Sequence, residues 1–431
     1  MIKMISDIKT VIAACIVAII IFVIELLTPR ANHETSKILG GEDDKIIETN
    51  THIVCDEANA CQTLREYARW NALNTYYEDV ARQLSDRQKY EFKNILERYV
   101  ISSANTISAV LAVSATVSTV SAVSTQPTDK FTKTDDILLC VDTAAIDRMK
   151  TELSKNKIMA PVGRFVRVVE DFLKSKDFDP VNISIDIGDL RVVVQCDKFK
   201  YTLTRRRYNA LFGRSNNNND IVRMLLRYEC LFPGGQQWGS SEAKYTMLHD
   251  NYNVRLEGFA SPKNSQLLYH KDSYFCSLFY DTDKVFGSRG SYFNINFAEF
   301  AAEVGADLPY VGLAVCPPYI LHIMDDAMRK VISELESAKR AGARCLVIFL
   351  CPDWTDADYI RIGEQAANKC YDMKLPAMKH SYVNTSAIDE NTNEPPLIPA
   401  RFPSRLFAFS TENFNLPNFD KLTETYYEAD A

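Results

Sequence analysis

Val311-Gly312-Leu313-Ala314-Val315, then Cys316-Pro317-Pro318-Tyr319, then the run from Ile320 to Arg340 decide how this chain folds. Five uncharged residues read as a short strand buried on both faces. Two prolines end it, because neither donates a ladder hydrogen bond. From Ile320 the apolar residues recur at helical spacing up to Arg340, and Ala341-Gly342 supplies a stop. A second uncharged run, Cys345–Leu350, predicts another buried strand, with a helix over Asp356–Lys369 and a closing strand over Ser404–Ser410. Toward the N-terminus, Val254–Phe259 and Tyr274–Phe279 read as strands of the same kind. Strands alternating with helices specify an α/β fold on a largely parallel sheet with both faces covered. Such sheets bind ligands beyond the carboxyl ends of their strands, where Cys316–Tyr319 falls.

Before Gln236 the pattern is mainly helical. Leu64, Tyr67, Trp70, Leu73 and Tyr77 repeat at three and four, as do Val80, Leu84, Tyr90, Ile95 and Tyr99. Another helix is expected over Pro161–Lys174. Asn182–Ile187 and Arg191–Gln195 alternate around Gly188-Asp189, which predicts a β-hairpin. Arg205-Arg206-Arg207 opens a helix that Asn216–Asn219 interrupts and that resumes through Arg223 and Arg227. This one concentrated basic region reads either as a solvated helix face or as a nucleic-acid contact.

Thr10–Leu27 is an apolar run of 18 residues with one acid, Glu25. It is long enough to span a hydrocarbon core of ~30 Å as a helix. Thr28-Pro29-Arg30 is a poor cleavage site, so an uncleaved single-pass anchor is expected rather than a signal peptide. Lysines and arginines flank the run on both sides and leave its orientation open. Ile101–Pro127 carries no charge and is rich in Ser, Thr, Ala and Val. It reads as a weak second membrane segment, a buried helix or a low-complexity linker. The expected organisation is a tail (1–9), an anchor (10–27), a tether (28–57), a helical accessory domain with a hairpin (58–235) and an α/β domain (236–431).

A chain of 431 residues has room for two cores. With 46% hydrophobic and 24% charged residues, wholesale disorder is excluded. A net charge of −7 means that a nucleic-acid ligand needs a local basic patch. Eleven cysteines are too sparse for a disulfide scaffold, and none stands in a CxxC pair or a Cys/His cluster, so no structural metal is expected. Cys316, Cys345 and Cys351 lie in apolar runs and read as buried free thiols.

Cys316-Pro317-Pro318-Tyr319 resembles the Asp/Asn/Ser-Pro-Pro-aromatic turn that methyltransferases of exocyclic amines place after a strand. The prolines fix the turn and aim the preceding carbonyls. The ring stacks on the base, worth ~1–3 kcal/mol. The first side chain's oxygen accepts a hydrogen bond from the amine. Three further blocks carry a more specific likeness: Leu256-Glu257-Gly258-Phe259-Ala260-Ser261-Pro262-Lys263-Asn264; Phe275–Phe279 with Asp281-Thr282-Asp283 and Phe286–Gly290; and Leu346–Leu350 with Pro352-Asp353-Trp354. In this order, from about Tyr201 to Phe409, they resemble the phosphorylated-CTD-interacting-factor-1 family. Its members methylate the N6 amine of a 2′-O-methyladenosine next to the mRNA cap.

The resemblance implies a class I (Rossmann-like) methyltransferase domain over 236–431, preceded by the accessory domain and the transmembrane helix. It implies S-adenosyl-L-methionine as cofactor, held by a loop of Phe259, Ala260, Ser261, Pro262 and Asn264. Gln236 and Gln237 correspond to a cofactor-side turn. Asp281, Asp283, Phe286, Gly287 and Ser288 would help hold the cofactor and shape the pocket mouth. Cys316, Pro317, Pro318 and Tyr319 form the catalytic turn. With capped RNA as partner, Arg205, Arg206, Arg207 and Arg227 are candidate phosphate contacts.

The family's turn is Asn-Pro-Pro-Phe. Cys316 stands in place of the amide, and a thiol is a weak acceptor. Loss of one preorganised polar contact typically costs ~10²–10³ in rate. Two readings follow: a cap adenosine methyltransferase facing the cytosol, or a catalytically inactive protein that keeps the fold for RNA binding or as an interaction module at a membrane. A cysteine nucleophile lacks a histidine partner in the sequence. A lumenal protein would carry glycans at Asn182-Ile183-Ser184 and Asn384-Thr385-Ser386. Trp70, Trp238 and Trp354 form no WW-like pair.

Overall fold

The computed structural model describes residues 51–52, 57–101, 143–174, 181–412 and 414–428. The tail, the anchor expected at 10–27, most of the tether and residues 102–127 lie outside them. Among the described residues no helix is long and apolar enough to cross a membrane.

The N-terminal part is helical, as its periodicity predicts. The helix Glu57–Ala81 turns at Arg82–Leu84 into a second helical stretch, 86–101. Thr143–Lys155 and Val162–Lys174 follow; the latter buries Phe165, Val169 and Phe172 along one face. A short strand β1 (Thr51–His52) pairs with β2 (Ile183–Ile187), which forms the expected hairpin with β3 (Arg191–Cys196). β4 (Phe199–Thr204) extends this antiparallel sheet.

The asparagine run behaves as its chemistry dictates. Thr204 caps the helix Arg205–Ser215 by accepting from the Arg207 amide, and Asn216 ends it at φ 51°. Asn217 then caps the next helix, Asn218–Glu229, through the Asn219 amide.

The second part is a six-stranded sheet. Its strands are β5 (Val254–Glu257), β6 (Tyr274–Phe275), β7 (Val311–Val315), β8 (Cys345–Pro352), β9 (Lys369–Leu375) and β12 (Ser404–Ser410). They lie in the order β6-β5-β7-β8-β12-β9. All run parallel except β12, which is antiparallel to both its neighbours. This mixed α/β sheet is compatible with the Rossmann-like methyltransferase fold that the resemblance implies. Side chains alternate between two cores. Cys345, Val347 and Phe349 face the helices Phe297–Val304, Leu321–Arg340 and Asp358–Gln365. Leu346, Ile348 and Leu350 face Glu242–Tyr252 and Asp420–Glu428.

Three expected elements are shorter than read. The strand from Val254 stops at Glu257, where the chain bends and the Gly258 amide donates to the Ala314 carbonyl at 2.7 Å. The strand from Tyr274 stops at Phe275. The helix after Asp356 covers Asp358–Gln365, because Lys369 already begins β9. A small hairpin of β10 (Ser381–Val383) and β11 (Leu397–Pro399) lies beside the main sheet.

From β5 the chain moves outward to β6 and then returns to β7 on the other side. The strand order thus reverses between β5 and β7, which is where open α/β sheets leave a crevice.

Candidate active site

A cavity of about 390 Å³ occupies that crevice. One wall is the bend after β5, Glu257–Ala260 with Asn264; the other is Cys316–Tyr319 after β7. The β5 bend requires its glycine: a Cβ on Gly258 would lie 2.9 Å from the Tyr292 ring. The following loop is fixed from within. Asn264 Oδ1 accepts from the Ser261 amide (2.6 Å) and hydroxyl (2.9 Å), and its Nδ2 donates to the Gln237 carbonyl at 3.2 Å. This bond joins the loop to the Gly235–Gln237 turn, so two segments read separately as cofactor-side meet here. Gln237, Phe259 and Ala260 line the cavity. Ser261 and Pro262 are buried in the turn behind it.

Glu257 and Arg98 are the ionisable acid and base of the lining. Glu257 stands in the Leu256–Asn264 block, where the sequence alone gives it no role. It accepts from the Ser265 hydroxyl (2.8 Å) and the Gln266 amide (3.2 Å), and from Tyr245. Burial outweighs these bonds and pushes its carboxyl up to about 7. Such a raised group adds stability below the ordinary carboxylate range and loses that contribution as pH rises through about 7. Glu257→Gln is therefore expected to flatten the decline of melting temperature between pH 5 and 8; an unchanged slope would assign the decline elsewhere.

The Cys316 turn converges on hydroxyls. Burial pushes the Cys316 thiol up to about 12, against a hydrogen bond with Tyr319. Tyr319 Oη lies 2.6 Å from Tyr382 Oη, which lies 3.1 Å from Ser404 Oγ. Ser404 Oγ in turn is 2.9 Å from His380 Nε2, while His380 Nδ1 is 3.1 Å from the Pro376 carbonyl. Cys316 is half-buried, and Cys345 and Cys351 are buried; none forms a disulfide.

Five residues expected to touch the cofactor stand behind the wall instead. Asp281 binds the buried Arg227 guanidinium at 3.1 Å. Asp283 accepts from the Tyr228 hydroxyl at 2.6 Å, and burial raises its carboxyl to about 7. Phe286 is part of the helical core. Gly287, at φ 98°, makes room for Arg214. Ser288 reaches the cavity only through Ser277, 2.7 Å away.

The basic cluster also divides. Arg207 is buried and donates to the Ser265 carbonyl (2.5 Å) and Gln266 (3.2 Å), bracing the loop that holds Glu257. Arg227 is buried against Glu66 at 2.5 Å. Neither points at a phosphate, because a carboxylate or carbonyl inside the protein already takes its N–H groups. Arg206 is exposed, paired with Glu242 and stacked on Tyr269, and Arg205 lies over Tyr208.

The sequence reading missed the third wall. Tyr90, Asn94, Arg98 and Ile101 of the 86–101 helix line the cavity at helical spacing. Gly234 packs beneath this helix so closely that a Cβ would lie 2.6 Å from Asn94 Oδ1. Trp238, Trp354 and Phe402 complete the aromatic rim.

Residues 202–385 match the family model described as phosphorylated CTD interacting factor 1 WW domain. The matched residues hold the helices that follow β4, the β5 and β7 strands with their loops, and β8 to β10. The "mRNA (2'-O-methyladenosine-N(6)-)-methyltransferase" proteins of Mus musculus and Homo sapiens are each 29% identical to this chain over 167 residues. That match covers 37% of this chain and 21% of either relative. It spans about a fifth of the length of these curated relatives.

Proposed function

We infer that this chain, phosphorylated-CTD-interacting-factor-1-like and divergent from its relatives, binds S-adenosyl-L-methionine between β5 and β7 and methylates the N6 amine of an adenosine next to an mRNA cap. The observation that carries this reading is the meeting of the Glu257–Asn264 loop and the Cys316–Tyr319 turn on one cavity at the switch point of the sheet. Its volume suits a small-molecule ligand. Glu257 is the one carboxyl of the lining, at the β5 end of the cavity, and suits a ligand whose positive charge sits there.

When bound, the cofactor supplies a methyl group activated on a sulfonium. Glu257 offers the cation its counter-charge, and the Gly258–Asn264 loop offers backbone groups. Pro317 and Pro318 hold the turn rigid, and Tyr319 and Trp354 give flat faces on which a base can stack. Arg205 and Arg206 are the arginines of the cluster left to meet RNA phosphates. Ionised Glu257 is the form that attracts a cation. Cofactor affinity is therefore expected to rise from pH 6 to 8 in the native protein and to be weaker and nearly pH-independent in Glu257→Gln.

Cys316 supports a second reading, a protein that binds without turnover, since the amide oxygen is missing. Calorimetric titration of S-adenosyl-L-methionine, with methylation of capped adenosine RNA measured beside Cys316→Asn, separates the two. Binding with native methylation establishes the enzyme. Binding with methylation only in Cys316→Asn establishes the binding protein. No binding by either defeats both. Anchoring through 10–27 with the catalytic part in the cytosol belongs to the same proposal, and glycans on Asn182 or Asn384 would overturn it.

A further inference from the structure

Among the described residues, Arg98 is the one cation that lines the cavity, and it lies outside the matched segment 202–385. Tyr90, Asn94, Arg98 and Ile101 are spaced by four, four and three, so one face of the 86–101 helix follows the cavity for about 16 Å. Packing locates the two ends of that face. Asn94 lies against Gly234, beside the Gly235–Gln237 turn. Ile101, one turn beyond Arg98, is buried with Ile320 and Ile323, and Phe259 and Leu278 pack against the group. Arg98 therefore belongs to the end of the helix that meets the β5 loop. Glu152, on the helix Thr143–Lys155, holds it there: Nε donates to Oε2 at 3.0 Å, and Nη2 donates to the same oxygen. One carboxylate oxygen takes both bonds, whereas a guanidinium has five N–H donors in a planar fork. The pair orients Arg98 without using the whole fork. With side chains 28% and 34% exposed, it is also screened by solvent and adds little to stability alone.

We propose that Arg98 binds the carboxylate at the amino-acid end of the cofactor, with Glu152 as the positioning residue that orients the guanidinium. This rests on the reading of the cavity as the S-adenosyl-L-methionine site. The cofactor carries both signs of charge: a sulfonium and an ammonium, and beside them a carboxylate. Glu257 answers the positive part. A carboxylate taken out of water without a charged donor is costly, and Arg98 is the donor that this lining offers. The helical part of the chain thus supplies half of the charge recognition. Placement favours a carboxylate over an RNA phosphate, because Arg98 stands one helical turn from Ile101, which packs with Phe259 of the cofactor loop. Glu152 also sets a limit: its negative charge lies beside the ligand's own, so it orients Arg98 at some expense of affinity.

The test is calorimetric titration of the full chain, native, Arg98→Met and Glu152→Gln, with two probes. S-adenosyl-L-homocysteine keeps the amino-acid end, and 5′-methylthioadenosine lacks it. Arg98→Met is expected to weaken the first ~10–100-fold and to leave the second unchanged, which also shows that the cavity is still formed. Glu152→Gln keeps an acceptor for the guanidinium and removes the competing charge. It is expected to bind S-adenosyl-L-homocysteine as tightly as the native chain or a few-fold more tightly. If the pair merely joined two helices, both variants would weaken both probes alike, and that result overturns the assignment. Unchanged S-adenosyl-L-homocysteine affinity in Arg98→Met also overturns it; a loss of RNA affinity with a shallower salt dependence would then move Arg98 to a phosphate. In either case the cofactor reading stands. Failure of the native chain to bind S-adenosyl-L-methionine or S-adenosyl-L-homocysteine defeats that reading, and this assignment with it.

Discussion

Gly312→Ala is expected to destabilise the protein by about 3 kcal/mol and to abolish cofactor binding with it. Gly312 lies in β7 directly beside β5, and its amide donates to the Asn253 carbonyl at 2.9 Å. A Cβ there would sit 2.3 Å from the Tyr252 carbonyl oxygen and 2.9 Å from the Val254 Cα and nitrogen. All three obstacles are backbone, so no rotamer change relieves the clash; the strands themselves must separate. β5 ends in Glu257 and β7 leads into Cys316, so their spacing sets the width of the cavity. Denaturant unfolding with calorimetric titration checks this. A cost below ~1 kcal/mol with binding retained would mean that the two strands adjust without disturbing the site.

The second large effect belongs to Arg227. Arg227→Met is expected to cost ~3–5 kcal/mol, since it leaves the buried Glu66 and the half-buried Asp281 without this counter-ion. Arg227 is 1% exposed, 2.5 Å from Glu66 and 3.1 Å from Asp281, and Arg69 is buried alongside at 2.7 Å from Glu66. The group joins the Glu57–Ala81 helix to the loop after β6. Arg206→Ala, at an exposed pair, is expected to cost less than ~1 kcal/mol and to act on RNA affinity and its salt dependence. Urea midpoints and RNA titrations at low and high salt distinguish them. Normal stability in Arg227→Met with weakened RNA binding would return this residue to the role its sequence context suggested.

That reversal shows where sequence reading stops. β7 and β12 keep the limits read for them: β7 is apolar throughout, and β12 carries an apolar run, Leu406–Phe409, buried on both faces. β9, Lys369–Leu375, is not legible: it is an edge strand with half-exposed polar residues, and only Lys369 falls in an expected element, as the end of the preceding helix. The Glu257–Asn264 loop and the Cys316 turn were legible because local backbone chemistry, glycine and proline, marks them. Arg207, Arg227, Asp281 and Asp283 were not, since a charge turned inward toward a partner far along the chain has the same composition as one facing solvent. Tyr382, Ser404 and His380 stand 61 or more positions from Tyr319, and only the antiparallel return of β12 and the β10 hairpin bring them together.

The aromatic rim gives the protein its own optical reporter. Of the three tryptophans, Trp238 and Trp354 line the cavity, whereas Trp70 is packed against Phe199 in the helical part, with ring centroids 5.1 Å apart. A ligand entering the crevice would come near two of the three indoles and leave the third undisturbed. Intrinsic emission thus follows ligand entry without a label, over a constant background from Trp70 that Trp70→Phe would remove.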